Sequence, residues 1–302
     1  MTALNEQAVP IADPELPVAG PNKRPRHIKG TRPGWFIYAC LGVVIAGSLF
    51  PFYWSLLIGS GDSYTIRDPN MSWIPGGNFF DNAAKVVNDS AVNFWVALWN
   101  SIVSSGLIAL SVVFFSTLAG WAFAKLKFRG SSWLLVFVIA TMAVPTQLGV
   151  VPLYILFSDL GWTGQLGAII VPALVSAFGV FWMTQYLRQA VPDELIEAAR
   201  VDGASSFRTF LTVGLPAARP AAAMLALFTF VSAWNNFFWP FIVLDRQSPT
   251  LPVALSLLQS NYFVDYSIVL AGVLLATIPL LVLFIFAGRQ LVSGIMAGAV
   301  KG

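Results

Sequence analysis

Six stretches of the chain contain no Asp, Glu, Lys or Arg, and each is long enough to cross a lipid bilayer. They lie between Arg32 and Asp62, Asp89 and Lys125, Arg129 and Asp159, Asp159 and Arg188, Arg219 and Asp245, and Asp265 and Arg289. The shortest, residues 266–288, holds 23 residues, against the roughly 20 that a spanning helix requires. An ionised side chain at the bilayer centre is expensive, so such intervals mark membrane spans. Composition agrees, with 57% of the 302 residues hydrophobic and 10% charged, where soluble domains carry about a quarter charged residues. The expected fold class is an all-α integral membrane protein with six transmembrane helices. A seventh interval, Arg246 to Asp265, is apolar only from Leu251 to Leu258 and contains Pro249 and Pro252. It is expected to form a short helix or loop outside the hydrocarbon.

Cation placement sets the expected orientation, because short cytoplasmic loops keep an excess of Lys and Arg. Of the 17 cations, 14 fall in the N-terminal tail (Lys23, Arg24, Arg26, Lys29, Arg32), the even loops (Lys125, Lys127, Arg129; Arg188, Arg200, Arg208, Arg219) and the C-terminal end (Arg289, Lys301). The other loops hold only Arg67, Lys85 and Arg246. Both termini are therefore expected in the cytoplasm. Residues 1–34 are polar and carry Pro10, Pro14, Pro17, Pro21 and Pro25; this reads as a disordered cytoplasmic tail ahead of a membrane domain over 35–302. The first apolar run, from Trp35, is an anchor rather than a cleavable signal, since it is too long and has no small-residue cleavage site.

Several function classes drop out. A net charge of +3 with scattered cations fits no nucleic-acid groove. The single histidine, His27, lies in the tail and the single cysteine, Cys40, in the first span. No cluster for a metal and no nucleophile–base pair for catalysis can be assembled from them. No GxxxxGK[ST] phosphate loop is present, so ATP is not expected to bind to this polypeptide.

The loop from about 188 to 219 is longer than a connector needs and has internal structure. Asp193 and Glu194 suit a helix N-terminus, Arg200 its last turn, and Gly203 a left-handed residue that ends it. Ser205 or Ser206 can cap a second helix. The expectation is a helix, a tight Asp-Gly turn and a helix, with small faces at Ala198, Ala199 and Ala204 and a Glu197–Arg200 pair at helical spacing.

EAARVDGASSFRTFLTVGLPAARP resembles the cytoplasmic EAA loop of permease subunits of binding-protein-dependent ABC importers, through Glu197-Ala198-Ala199, Asp202-Gly203-Ala204 and Leu215-Pro216. The chain's end, GRQLVSGIMAGAVKG, is similar to the tail of the MalG-like subunits of carbohydrate importers, about 289–302, and FTFVSAWNNFFWPFIVL to their fifth span. It departs from their commoner pattern at Asn236, where an acidic residue often follows Trp-Asn. The resemblance implies a type I ABC importer permease in a bacterial-type inner membrane, importing a sugar or oligosaccharide by alternating access. It implies an ABC ATPase dimer that carries ATP and Mg, a second homologous permease and an extracytoplasmic sugar-binding protein. It assigns ATPase coupling to Glu197, Ala198, Ala199, Asp202, Gly203 and Ala204, and a second coupling role to the tail residues Ser293, Gly294, Gly298 and Lys301.

A sugar site needs amides or hydroxyls beside aromatic rings. Gln147, close to Pro145 and Pro152, and Trp234, Asn235 and Asn236 in the fifth span are the candidates, although the same residues also fit a kink and hydrogen bonds between helices. The alternative function is an ion-coupled secondary transporter of a small polar solute. It is disfavoured because no ionisable side chain that could carry a proton lies inside a span.

Overall fold

Helices form every regular element among the described residues of the computed structural model, residues 34–260 and 263–299. In chain order they are α1 (Trp35–Gly59), α2 (Phe79–Asn88), α3 (Phe94–Lys125), α4 (Ser131–Thr141), α5 (Val150–Asp159) and α6 (Gly167–Ile170). They continue as α7 (Ala177–Ala190), α8 (Asp193–Val201), α9 (Ser206–Thr209), α10 (Leu215–Trp234), α11 (Phe238–Val243), α12 (Leu251–Leu257) and α13 (Tyr266–Ala299). The chain divides into two units, Met1–Ser48 and Leu49–Gly302. In the first, the helix from Trp35 to Ser48 exposes every side chain. The tail read as disordered lies, except for Gly34, outside the described residues.

Five helical runs are long and apolar enough to cross a membrane: Trp35–Gly59, Phe94–Lys125, Gly167–Ala190, Ser206–Trp234 and Tyr266–Gly288. The third charge-free interval is not one rod. It comprises α4 and the run Thr146–Asp159, bent by 83°, with Pro145 at the break, where proline lacks the N–H that would continue the ladder. It makes a sixth span only if both arms are counted together. The seven-residue α12 is too short to span at about 1.5 Å per residue.

The second unit is built around α3. Its inward face packs Val112 and Trp121 against Met183 and Leu187 of α7 and Ala221 and Leu225 of α10. Glycine sets the closeness of one pairing: a Cβ at Gly120 would lie 2.6 Å from Met183 Cβ and 2.9 Å from Thr184 N. Small residues bring helix backbones together where hydrophobic exclusion from water gives no drive. Nearer the start of α3, Asn100 Nδ2 donates to the Pro249 carbonyl at 3.1 Å and Ser101 Oγ accepts from the Leu251 N–H at 2.7 Å. These bonds seat α12 against α3, burying Leu251, Ala254 and Leu255 beside Val86, Trp234 and Val269.

The fifth span starts earlier than its charges imply. The helical run begins at Ser206, passes through a π-helical turn over Phe210–Gly214 and continues as α10 to Trp234. Arg208 and Arg219 are both exposed along it, and Pro216 falls directly after the π-helical turn, at the second position of α10. The second arm of the expected elbow is thus the first part of a span.

Candidate functional site: an exposed elbow joined to an uncharged cavity

The elbow forms by local capping. α8 follows Pro192, carries Asp193 and Glu194 in its first turn and Arg200 in its last, all favourable to the helix dipole. Gly203 has φ +75°. Around it the Ala204 N–H donates to the Ala199 carbonyl at 2.9 Å and the Gly203 N–H to the Arg200 carbonyl at 3.0 Å, the paired bonds of a Schellman motif. Of the two serines, Ser205 is the cap: its Oγ accepts from the Arg208 N–H at 3.3 Å. Glu197, Ala198, Asp202 and Gly203 are exposed, and Ala199 and Ala204 half-buried. Leu195, Val201 and Phe207 also expose apolar surface, Val201 to 88%.

One ion pair is present among the described residues, and it is not the expected Glu197–Arg200. Lys125 Nζ, at the end of α3, donates to Asp193 Oδ1 at 2.7 Å, with side chains 4% and 80% exposed respectively. Glu197 and Arg200 are both exposed, where holding two long side chains together gains little over solvation. The hydrogen bond from Lys125, its charge and that of Lys127 hold the Asp193 carboxyl below its ordinary range. A lowered pKa means that the strut is intact at neutral pH and is lost as pH falls through the Asp193 pKa. Asp193→Asn is expected to lower amide protection in α8 by roughly two- to five-fold at neutral pH, measured by hydrogen exchange; unchanged protection would show that the pair positions nothing.

Below the elbow, the π-helical turn rests on α3. A Cβ at Gly214 would come within 2.6 Å of the Trp121 ring, and that ring also packs on Phe210 at 5.8 Å. π-turns are frequent where helices serve a function. Of the tail residues, Ser293, Gly294 and Gly298 fall within α13, while Lys301 lies outside the described residues.

The second feature is a cavity of about 1010 Å³, at the upper end of ligand-site volumes. Three helix breaks open onto it. Met142, Val144 and Gln147 come from the break between α4 and α5, Val175 and Ser176 from that between α6 and α7, and Asn236 from that between α10 and α11. Irregular backbone at membrane depth is tolerated where it lines a cavity. Trp239 adds a ring, held by its Nε1 donating to the Ala168 carbonyl at 2.9 Å.

Two of the four residues read as a solute path reach this cavity and two do not. Gln147 and Asn236 line it. Trp234 is 3% exposed, packs against Phe94, Leu251 and Leu255 and stacks on Phe230, and Asn235 Nδ2 donates to the Val231 carbonyl at 2.9 Å. Thr229 and Ser232 are cavity residues that the sequence reading missed; their spacing with Asn236, three and then four residues, was the available signal for one helix face.

The sequence profile of the family described as "Binding-protein-dependent transport system inner membrane component" matches residues 113–292, a segment containing the elbow and every residue of the cavity wall except Ile108 and Val112. The chain belongs to this family. Among its relatives in the family, the arabinooligosaccharides transport system permease protein AraQ of Halalkalibacterium halodurans is 33% identical over 74% of this chain and 79% of its own length. The lactose transport system permease protein LacG of Rhizobium radiobacter is 31% identical over 87% and 95%. A chain of a bacterial ABC transporter involved in the import of the acidic polysaccharide alginate superposes with TM-score 0.71 at 22% identity, covering 85% of this chain and 95% of that one. The family member described here therefore has the type I importer permease fold.

Proposed function

We propose that this chain is a permease subunit of an ATP-driven ABC importer for a carbohydrate, forming half of a translocation pore. The observation that carries the reading is the continuity between elbow and cavity. Ser206–Trp234 is one run of 29 residues that starts beside the Ser205 cap and bears Thr229 and Ser232 on the cavity wall near its other end. A push on α8 is thereby delivered to the cavity along one continuous helical run rather than dissipated in a loop. The names of the arabinooligosaccharide and lactose relatives support a sugar as cargo.

On this reading Glu197, Ala198, Ala199, Asp202, Gly203 and Ala204 face an ATPase dimer, which holds ATP and Mg. Ser293, Gly294, Gly298 and Lys301 form a second contact with it. A sister permease supplies the other half of the pore, an extracytoplasmic binding protein delivers the sugar, and Gln147 and Asn236 lie on its path. Both termini are cytoplasmic, as the cation distribution favours.

Purification of the tagged chain from native membranes is expected to recover an ATPase and a second permease. In a Cys40→Ser background, Asn70→Cys should label from outside intact cells with an impermeant thiol reagent, and Ser205→Cys only after permeabilisation. Labelling of Ser205→Cys in intact cells would reverse the topology, and recovery of neither partner would remove the importer reading.

A further inference from the structure

The run from Ser206 to Trp234 links the elbow to the cavity, but its hydrogen-bond ladder is interrupted on the way. Pro220 lies in the interior of α10. Lacking an N–H, it gives no bond back to the Pro216 carbonyl one turn earlier, and helices kink at such prolines. The next residue is held from outside the helix. Trp182 Nε1 of α7 donates to the Ala221 carbonyl at 3.3 Å, and Ala221 is itself buried in the cluster shared by α3, α7 and α10. The Trp182 ring also meets Phe178 at 6.0 Å and Phe228 edge-on at 6.5 Å, both on the cavity wall. A second indole touches the same run and makes no such bond. Trp121 packs its ring against Phe210 and Gly214 in the π-helical turn, yet its buried Nε1 has no hydrogen-bond partner among the described residues. A hydrogen bond fixes distance and angle, whereas apolar contact is non-directional.

We infer that Trp182 is a positioning residue for transport: its N–H braces the run beside the break at Pro220, so that movement of the elbow reaches the cavity instead of bending the helix there. This role presupposes the importer reading above and concerns how movement passes along α10. The two indoles act differently. The turn at Phe210–Gly214 can shift across the Trp121 ring when α8 is pushed, because no directional bond to that ring must break. The braced point at Ala221 stays with α7, so the segment beyond it, with Thr229 and Ser232 on the cavity wall, swings in answer. Without the brace, the parts of α10 on either side of Pro220 move independently, and α8 can be pushed with no change at the wall.

The test uses the importer purified through the tagged chain, with its ATPase, sister permease and binding protein, in a Cys40→Ser background. Nitroxides at Leu110→Cys on α3 and Leu211→Cys report the turn, and nitroxides at Leu110→Cys and Ser232→Cys report the cavity wall; all three positions are exposed. Pulsed EPR distances are compared without nucleotide and with a non-hydrolysable ATP analogue. The analogue is expected to shift both distances when no other residue is altered. Trp182→Phe keeps the ring and should abolish the shift at Ser232 while preserving that at Leu211. Adding Pro220→Ala, at an exposed site, restores the helical N–H and should bring the Ser232 shift back, which a merely structural defect would not do. Trp121→Phe removes an N–H that bonds to nothing and should leave both shifts intact. A Ser232 shift that survives Trp182→Phe, or that Pro220→Ala does not restore, overturns the inference. So does its loss in Trp121→Phe, or the absence of any shift in the importer with both indoles present. Recovery of the chain with neither an ATPase nor a second permease removes the importer reading itself.

Discussion

Gly120→Leu is expected to deplete the protein from the membrane, whereas Gly106→Leu on the same helix leaves it near its normal level. The two sites differ in what a side chain would meet. At Gly106 no heavy atom lies within 4 Å of an added Cβ, whereas at Gly120 the added carbon would be 2.6 Å from Met183 Cβ and 2.9 Å from Met183 C and Thr184 N. Two of those three neighbours are backbone, so no rotamer change relieves the overlap and α3 and α7 must separate. That separation disturbs the cluster of Val112, Trp121, Met183 and Leu187 on which α10 also rests. The cost should exceed the ~1–3 kcal/mol of ordinary overpacking, a large fraction of total stability. At Gly106 a leucine instead gains helix propensity, roughly 1 kcal/mol relative to glycine. Quantitative blotting of membrane fractions, with thermal aggregation in detergent as a second measure, distinguishes the two. Equal abundance of both variants would mean that the α3–α7 approach is looser than described.

What the sequence made legible was local, and what it hid was assembled from distant parts. The left-handed Gly203 and a serine cap at Ser205 or Ser206 could be read in advance, because both act within a few residues of themselves. The Lys125–Asp193 strut joins residues 68 positions apart, and nothing in either neighbourhood points to the other. Pro145 was visible as a helix-breaking residue close to Gln147, and Asn235 and Asn236 as amides within an apolar span. That the three breaks share one cavity depends on how α4, α7 and α10 pack, which periodicity does not encode. The Trp-Asn-Asn triplet shows the limit clearly. Successive helical residues turn by about 100°, so three neighbours cannot all face one space, and only Asn236 does. Charges marked where the chain avoids lipid, but Arg208 and Arg219 sit exposed on a continuing helix; a charge bounds the hydrocarbon and does not end a helix.

The second large effect is expected at Gly203, where geometry alone is at stake. No atom lies within 4 Å of a Cβ built there, so Gly203→Leu meets no steric obstacle, but its φ of +75° places an L-residue in the left-handed region. That conformation costs roughly 1–2 kcal/mol for a residue with a Cβ. The turn can escape the cost only by breaking the bonds from Ala204 to Ala199 and from Gly203 to Arg200 that close it. Either way the angle between α8 and the helix starting at Ser206 is no longer fixed. On the proposed function the ATPase then meets a mispositioned α8, and its recovery with the purified chain should fall by about 10-fold per 1.4 kcal/mol of lost preorganisation. Gly203→Asn separates conformation from bulk, because asparagine tolerates the left-handed region far better than leucine. It should retain most ATPase binding and most uptake. Glu197→Ala, which keeps a good helix former and removes one exposed charge, should cost less than Gly203→Leu. Recovery and uptake are to be measured on the same cells, with membrane abundance as the control for folding. If Gly203→Leu matches the unaltered chain in both, the elbow angle has no part in coupling. If Gly203→Asn fails as completely as Gly203→Leu, the position is a close contact with the ATPase rather than a turn.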